Sequence, residues 1–168
     1  MSTQKSSTLP SSGNELTNET SDFTLEEGYK ARELDPNEIH ANWGVILPLL
    51  QDVDHHEWNG TYAKLLKGDC RAVLVENNGK AVIIAIITIG KHGATSGLNT
   101  CFVDALGVNK ESGSVTDAMK VGLKFVCELA KAASCDGLLA ETPNKAIADM
   151  SKNLGFHVTP MFKLGRYV

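Results

Sequence analysis

The chain has 168 residues, 42% of them hydrophobic, and a formal charge of −4. That length suits one domain with a real core and is too short for two. The acidic balance offers no basic patch to nucleic acid. The longest apolar run, Ala81 to Ile89, is far too short to span a bilayer.

Residues 1–22 are rich in Ser, Thr, Asn and Gln. Such a segment cannot offset its ordering entropy alone, so a flexible arm is predicted there. A single domain is expected over residues 23–168. Tyr29 to Leu34 reads as a strand. Asp35-Pro36 then supplies a cap and a proline at the first helical position. The following helix carries Ile39, Trp43, Ile46 and Leu49 at helical spacing, and Pro48 should kink or end it. Thr61 to Leu66 reads as a second helix, closed by Gly68.

Arg71 to Glu76 and Lys80 to Ile89 read as strands joined by the Asn77-Asn78-Gly79 turn. The second is apolar on both faces, as in a central strand covered on both sides. A glycine-rich loop, Lys91 to Gly97, leads to a strand from Leu98 to Val108. Ser114 and Asp117 form a capping box at the start of a long helix. Val115, Met119, Gly122, Val126 and Leu129 define its apolar face, widened by Ala118, Leu123 and Ala130. Gly137 to Ala140 is a short strand. Asn144 to Asn153 is a helix with Gly155 as its left-handed cap, and Phe156 should plug the core beneath it. Val158 to Tyr167 should supply closing strands. The predicted class is α/β: a mixed sheet with helices on both faces.

Little in the sequence points to a metal. Asp52-Val53-Asp54-His55-His56-Glu57 would splay to different sides of a turn, without the i, i+4 spacing that helical ligands need. Cys70, Cys101, Cys127 and Cys135 form no C-x-x-C pair. They are expected to be reduced, buried thiols in a cytoplasmic protein. No apolar signal core lies near Met1, so secretion is not expected.

The run Asn144 to Phe156, an Asn, a helix and then Gly-Phe, resembles the late motif of the GNAT superfamily of N-acetyltransferases. The resemblance covers Tyr29 to the C-terminus. Leu65, Lys67-Gly68-Asp69, Ala130-Lys131 and Cys135 are similar to GNAT-like proteins encoded by bacteriophages, many among head and tail morphogenesis genes.

The resemblance implies acetyl-CoA as cofactor. Its diphosphate would sit on a glycine-rich loop at the start of the long helix. Val108, Gly113 and Ser114 would contact it there, and Asn144 would meet the pantetheine arm. Asp104 would be the general base. Ser151 stands where the superfamily places the tyrosine that acts as general acid. The loop Val108 to Ala118 departs from the superfamily's Arg/Gln-x-x-Gly-x-Gly/Ala pattern. It lacks the Arg or Gln, and Glu111 and Asp117 put negative charge where the anion should go, with Lys110 to offset one of them.

Two functions follow from the resemblance. One is an acyl-CoA-dependent N-acyltransferase with a degenerate diphosphate loop. The other is a catalytically inactive structural protein, a virion head or tail component docking through residues 1–22. In the second reading a protein partner or another copy of the chain holds the arm, in the host cytoplasm or the virion.

Overall fold

The computed structural model describes residues 28–50, 58–91, 97–142 and 145–159. The elements run β1 (Tyr29–Leu34), α1 (Pro36–Leu50), α2 (Trp58–Lys67), β2 (Arg71–Asn77), β3 (Lys80–Lys91), β4 (Asn99–Val108), α3 (Val115–Ala132), β5 (Gly137–Ala140) and α4 (Lys145–Asn153). This is the order the sequence predicts as far as α4. Residues 1–27, Asn144 and the Asp52 to Glu57 cluster lie outside the described residues. So does all but Val158 and Thr159 of the expected closing strands, and those two are not in a strand.

The strands form one sheet in the order β1-β2-β3-β4-β5. The first three pairings are antiparallel and β4–β5 is parallel. A parallel pair needs a crossover, and α3 provides it. The β2–β3 hairpin is set by its two-residue turn, Asn78 (φ 48°) and Gly79 (φ 77°). Positive φ at both positions matches the right-handed twist of the paired strands.

Helices cover both faces, as expected. On one face α1 and α2 pack Ile39, Ile46, Leu50 and Leu65 onto Ala72, Leu74, Ile84, Ile86 and Ala105. On the other, α3 packs Val126 and Ala130 onto Val73, Ala85, Ile87 and Cys101. The same helix packs Ala118 and Val121 onto Val75, Val82 and Ile83. The alternation of Val73 and Val75 against Ala72 and Leu74 is the period-two pleat. It slips at Val82 and Ile83, which share the α3 face. The β2–β3 register shifts there, pairing Val75 with Ile83 and Glu76 with Ala81. Val82 is therefore the extra residue of a β-bulge, which periodicity alone does not reveal.

Several local expectations change. Asp35 caps α1 through bonds to the N–H groups of Asn37 (2.7 Å) and Glu38 (2.9 Å), and Glu38 returns a bond to the Asp35 N–H (3.1 Å). This completed box starts the helix firmly. Pro48 does not end it, because the helix continues to Leu50. The apolar face of α3 is centred on Ala118, Val121, Val126 and Ala130. Val121 is buried although periodicity omitted it, and Leu123 is only half-buried.

Helix α4 closes with a Schellman motif: Phe156 N–H donates to Ser151 O (3.0 Å), and Gly155 N–H donates to Lys152 O (3.0 Å). Gly155 has φ 88°, as the cap requires. Phe156, however, is half-buried and belongs to none of the three core clusters, and α4 buries no residue fully. All four cysteines are unbridged, and Cys127 and Cys135 are half-buried rather than fully buried.

Candidate active site

The site begins where the sheet stops being a sheet. Strand β5 pairs with β4 only over Thr100–Val103 against Gly137–Ala140. Strand β4 nevertheless runs on to Val108. Its edge from Asp104 to Val108 has no partner strand on the β5 side among the described residues. The two strands thus bound a wedge that opens after Val103 and Ala140.

The wedge starts at a second bulge. In the β3–β4 pairing, Ile86 faces Ala105 and Ile87 faces Val103. Asp104 is the extra residue. A bulge bends its strand and increases the local twist. It also places Asp104 and Ala105 on the same face as α1 and α2. The carboxylate of Asp104 accepts a hydrogen bond from Thr88 Oγ1. Together Thr88, Gly90, Lys91, Thr100, Phe102 and Asp104 line a shallow cavity of about 180 Å³ on that face.

The loop after β4 is tied down by its own residues. Ser114 caps α3, its Oγ accepting from the Asp117 N–H (3.3 Å). The other half of the expected capping box is missing. The Ser114 N–H donates instead to Tyr29 Oη at 2.7 Å, and Asp117 pairs with Lys120 at 3.4 Å. Glu111 N–H donates to Asn109 Oδ1 (3.1 Å), and Ser112 N–H donates to Asn109 O (3.3 Å). Asn77 Nδ2 donates to Ser112 O (3.3 Å). Gly113 is glycine because of close approach: a Cβ there would lie 2.7 Å from Tyr29 Oη and 2.9 Å from Asn77 Nδ2.

The described residues singled out in the sequence fall in four places. Val108 ends β4, pairs with Ile83 and packs beneath α3. Gly113 and Ser114 lie together against Tyr29 and Asn77. Asp104 stands apart from them at the bulge. Ser151 lies on α4, where its hydroxyl donates to Ile147 O of its own helix at 2.8 Å. Tyr29 and Asn77 read in the sequence only as strand and turn, and Thr88 and Phe102 only as strand positions. Tyr29 and Ser114 are 85 positions apart, a contact no local pattern announces.

Burial pushes the Cys101 thiol up to about 11, and Cys70 and Cys127 are raised for the same reason. Thiols held protonated in this way are poor nucleophiles. Among the described residues no group of three His, Cys, Asp or Glu could hold a metal ion, and no helix is long and apolar enough to cross a membrane.

This five-stranded sheet, with its parallel last pair and its helices on both faces, is the GNAT N-acetyltransferase fold. Glucosamine-6-phosphate N-acetyltransferase from Arabidopsis thaliana superposes with a TM-score of 0.60 at 14% identity, covering 84% of this chain and 99% of the other. Ribosomal-protein-alanine N-acetyltransferase from Brucella melitensis biovar Abortus 2308 gives 0.61 at 15% identity, over 83% and 99% of the two chains. The aminoglycoside N-acetyltransferase AAC(6')-Iy, bound to the bisubstrate analog CoA-S-monomethyl-acetylneamine, gives 0.65 at 16% identity, over 83% and 98%. No protein-family profile and no curated protein matches the sequence.

Proposed function

We propose that this chain is an N-acyltransferase that takes an acyl group from a thioester of the acyl-CoA type and passes it to an amine. The observation that carries this reading is the wedge, with the β4 edge from Asp104 to Val108, which has no partner strand on the β5 side among the described residues, along one side. A strand edge offers N–H and C=O groups to any extended chain bearing amides, and the pantetheine arm is such a chain. The arm therefore fits. The diphosphate does not, because three loop N–H groups (Glu111, Ser112 and Ser114) and the first-turn N–H of Asp117 are spent on protein acceptors, and Glu111 and Asp117 add negative charge.

When bound, the thioester supplies an activated acyl carbon. Asp104 stands at the head of the wedge, one carboxylate oxygen held by Thr88. The other oxygen is left to accept from an amine in the cavity beside Phe102. The amine nitrogen forms the C–N bond as the C–S bond breaks. The sulfur leaves with that electron pair, and the amine's proton passes to Asp104 or to water it holds. Ser151 supplies no proton in this scheme, since its hydroxyl is turned back onto Ile147.

A thermal-shift titration tests the reading. Saturating acetyl-CoA should raise the melting temperature by several degrees. The absence of any shift at millimolar concentration, with acetyl-CoA and with S-acetylpantetheine, would remove it.

The spent loop and the back-bonded Ser151 favour a second reading. In it the fold is a non-catalytic scaffold, a virion component that docks through residues 1–22. Deleting Met1 to Ser21 should then leave a folded domain and abolish association with its partner. Assembly that persists without the arm would dismiss this reading.

A further inference from the structure

We infer that the acyl donor of this chain is a pantetheine thioester recognised without its adenosine diphosphate: the protein grips the arm and leaves the diphosphate ungripped. This rests on the transferase reading above and narrows its donor. The loop that would meet the diphosphate is closed from within. Tyr29, at the start of β1, places its hydroxyl oxygen 2.7 Å from the Ser114 nitrogen, where a phosphate oxygen would otherwise accept. Gly113 packs so tightly under that hydroxyl that a single methyl would not fit, so no phosphate oxygen fits between them either.

The tyrosine is itself held in place. Its strand is tied to the hairpin turn by the Asn78 N–H donating to Gly28 O (3.0 Å), and Asn77 reaches from that turn to Ser112 O. Glu111 and Asp117 flank the loop, and the nearby Lys120 is already engaged with Asp117. The Ser114 amide is thus taken by a hydroxyl, and the segment from Asn109 to Asp117 carries two acids, Glu111 and Asp117, against one lysine, Lys110. The β4 edge, which meets amides rather than phosphates, is untouched by these changes.

Calorimetric titration of the full chain with acetyl-CoA and with S-acetylpantetheine tests this. A gripped diphosphate, through two charge-assisted bonds, would favour acetyl-CoA by about a hundredfold or more. The expected result is affinities within tenfold of each other. A preference for acetyl-CoA beyond tenfold overturns the inference and leaves the transferase reading standing. Binding of neither removes both.

Tyr29→Phe supplies a readout independent of turnover. It should expose the Ser114 amide to faster hydrogen exchange and improve acetyl-CoA relative to S-acetylpantetheine by threefold or more. An unchanged ratio in that variant overturns the role given to Tyr29. The arm could be free or attached to a carrier protein, and an acetyl-loaded carrier protein distinguishes the two. Tighter binding than S-acetylpantetheine marks a protein-borne donor, and equal or weaker binding marks a free one.

Discussion

Replacing Gly107 with alanine tests the way α1 lies across the sheet. Gly107 faces the α1 side of β4, and a Cβ added there would sit 2.2 Å from Leu49 O, 2.7 Å from Leu49 C and 2.9 Å from Ile84 Cγ2. A carbon and a carbonyl oxygen rest at roughly 3.3 Å or more. The last turn of α1 would therefore have to withdraw by about 1 Å. That turn carries Ile46 and Leu50, both buried in the core beneath α1 and α2. Movement of β4 instead would pull Gly107 out of its pairing with Ile84 on β3, which β2 holds from the other side. Overpacking costs about 1–3 kcal/mol where side chains can adjust, and here the obstacle is backbone, so the upper end applies. At roughly 2–4 °C per kcal/mol for a chain of this size, the melting temperature should fall by about 6–12 °C. Circular dichroism during thermal and urea unfolding would measure it. Gly90→Ala is the internal control, since nothing lies within 4 Å of a Cβ there. If Gly107→Ala unfolds within about 0.5 kcal/mol of that control, α1 does not press on β4 as described.

Gly155→Ala should cost about 1 kcal/mol, because φ 88° disfavours a Cβ, and a neutral result in urea unfolding would contradict the Schellman cap. Ser134→Gly should do the reverse. Ser134 sits at φ 54° in the equivalent cap of α3, where Cys135 N–H reaches Ala130 O at 2.9 Å, so relief of strain should add about 0.5–1 kcal/mol by the same measurement. Alkaline stability should follow Cys101. Its folded pKa of about 11 lies above the ordinary 9.0, so its contribution is whole below about pH 9 and is lost as pH rises toward 11. Cys101→Ala should be less stable at neutral pH but should show a shallower decline across that window, and an identical slope would count against the buried thiol as a source.

Much of this architecture was legible because it obeys short periods. The apolar run in β3 announced burial on both faces, and Asn78-Gly79 announced the hairpin. The Asp35 cap and Gly155 were equally local signals. What escaped depended on one-residue irregularities and on distant partners. Val82 and Asp104 interrupt the pleat, and an alternating pattern cannot say which residue is the extra one. Val121 was missed because α3 crosses β1, β2 and β3 with its face rotated from the predicted centre. Glu111 and Asp117 showed that the loop lacks the usual residues. Only the fold shows that Tyr29 stands in the gap. Ser151 is legible in the sequence as a serine at the tyrosine position, and its bond to Ile147 O adds that its hydroxyl serves the helix.

The bulge at Asp104 has a bearing on chain length. Leu106 and Val108 lie on the α3 face, while Ala105 and Gly107 face α1. With Val103 also on the α3 side, removing residue 104 would restore strict alternation and move none of them to the wrong side. Asp104 is thus surplus to the architecture. A variant lacking it should fold with a straighter β4 that β5 can follow further, and the wedge would narrow. Single-residue deletion scanning along β4 would therefore separate the two demands on the strand: tolerance at 104 with loss of thioester binding, and collapse of the fold at Leu106, whose loss would turn Gly107 and Val108 to the wrong faces.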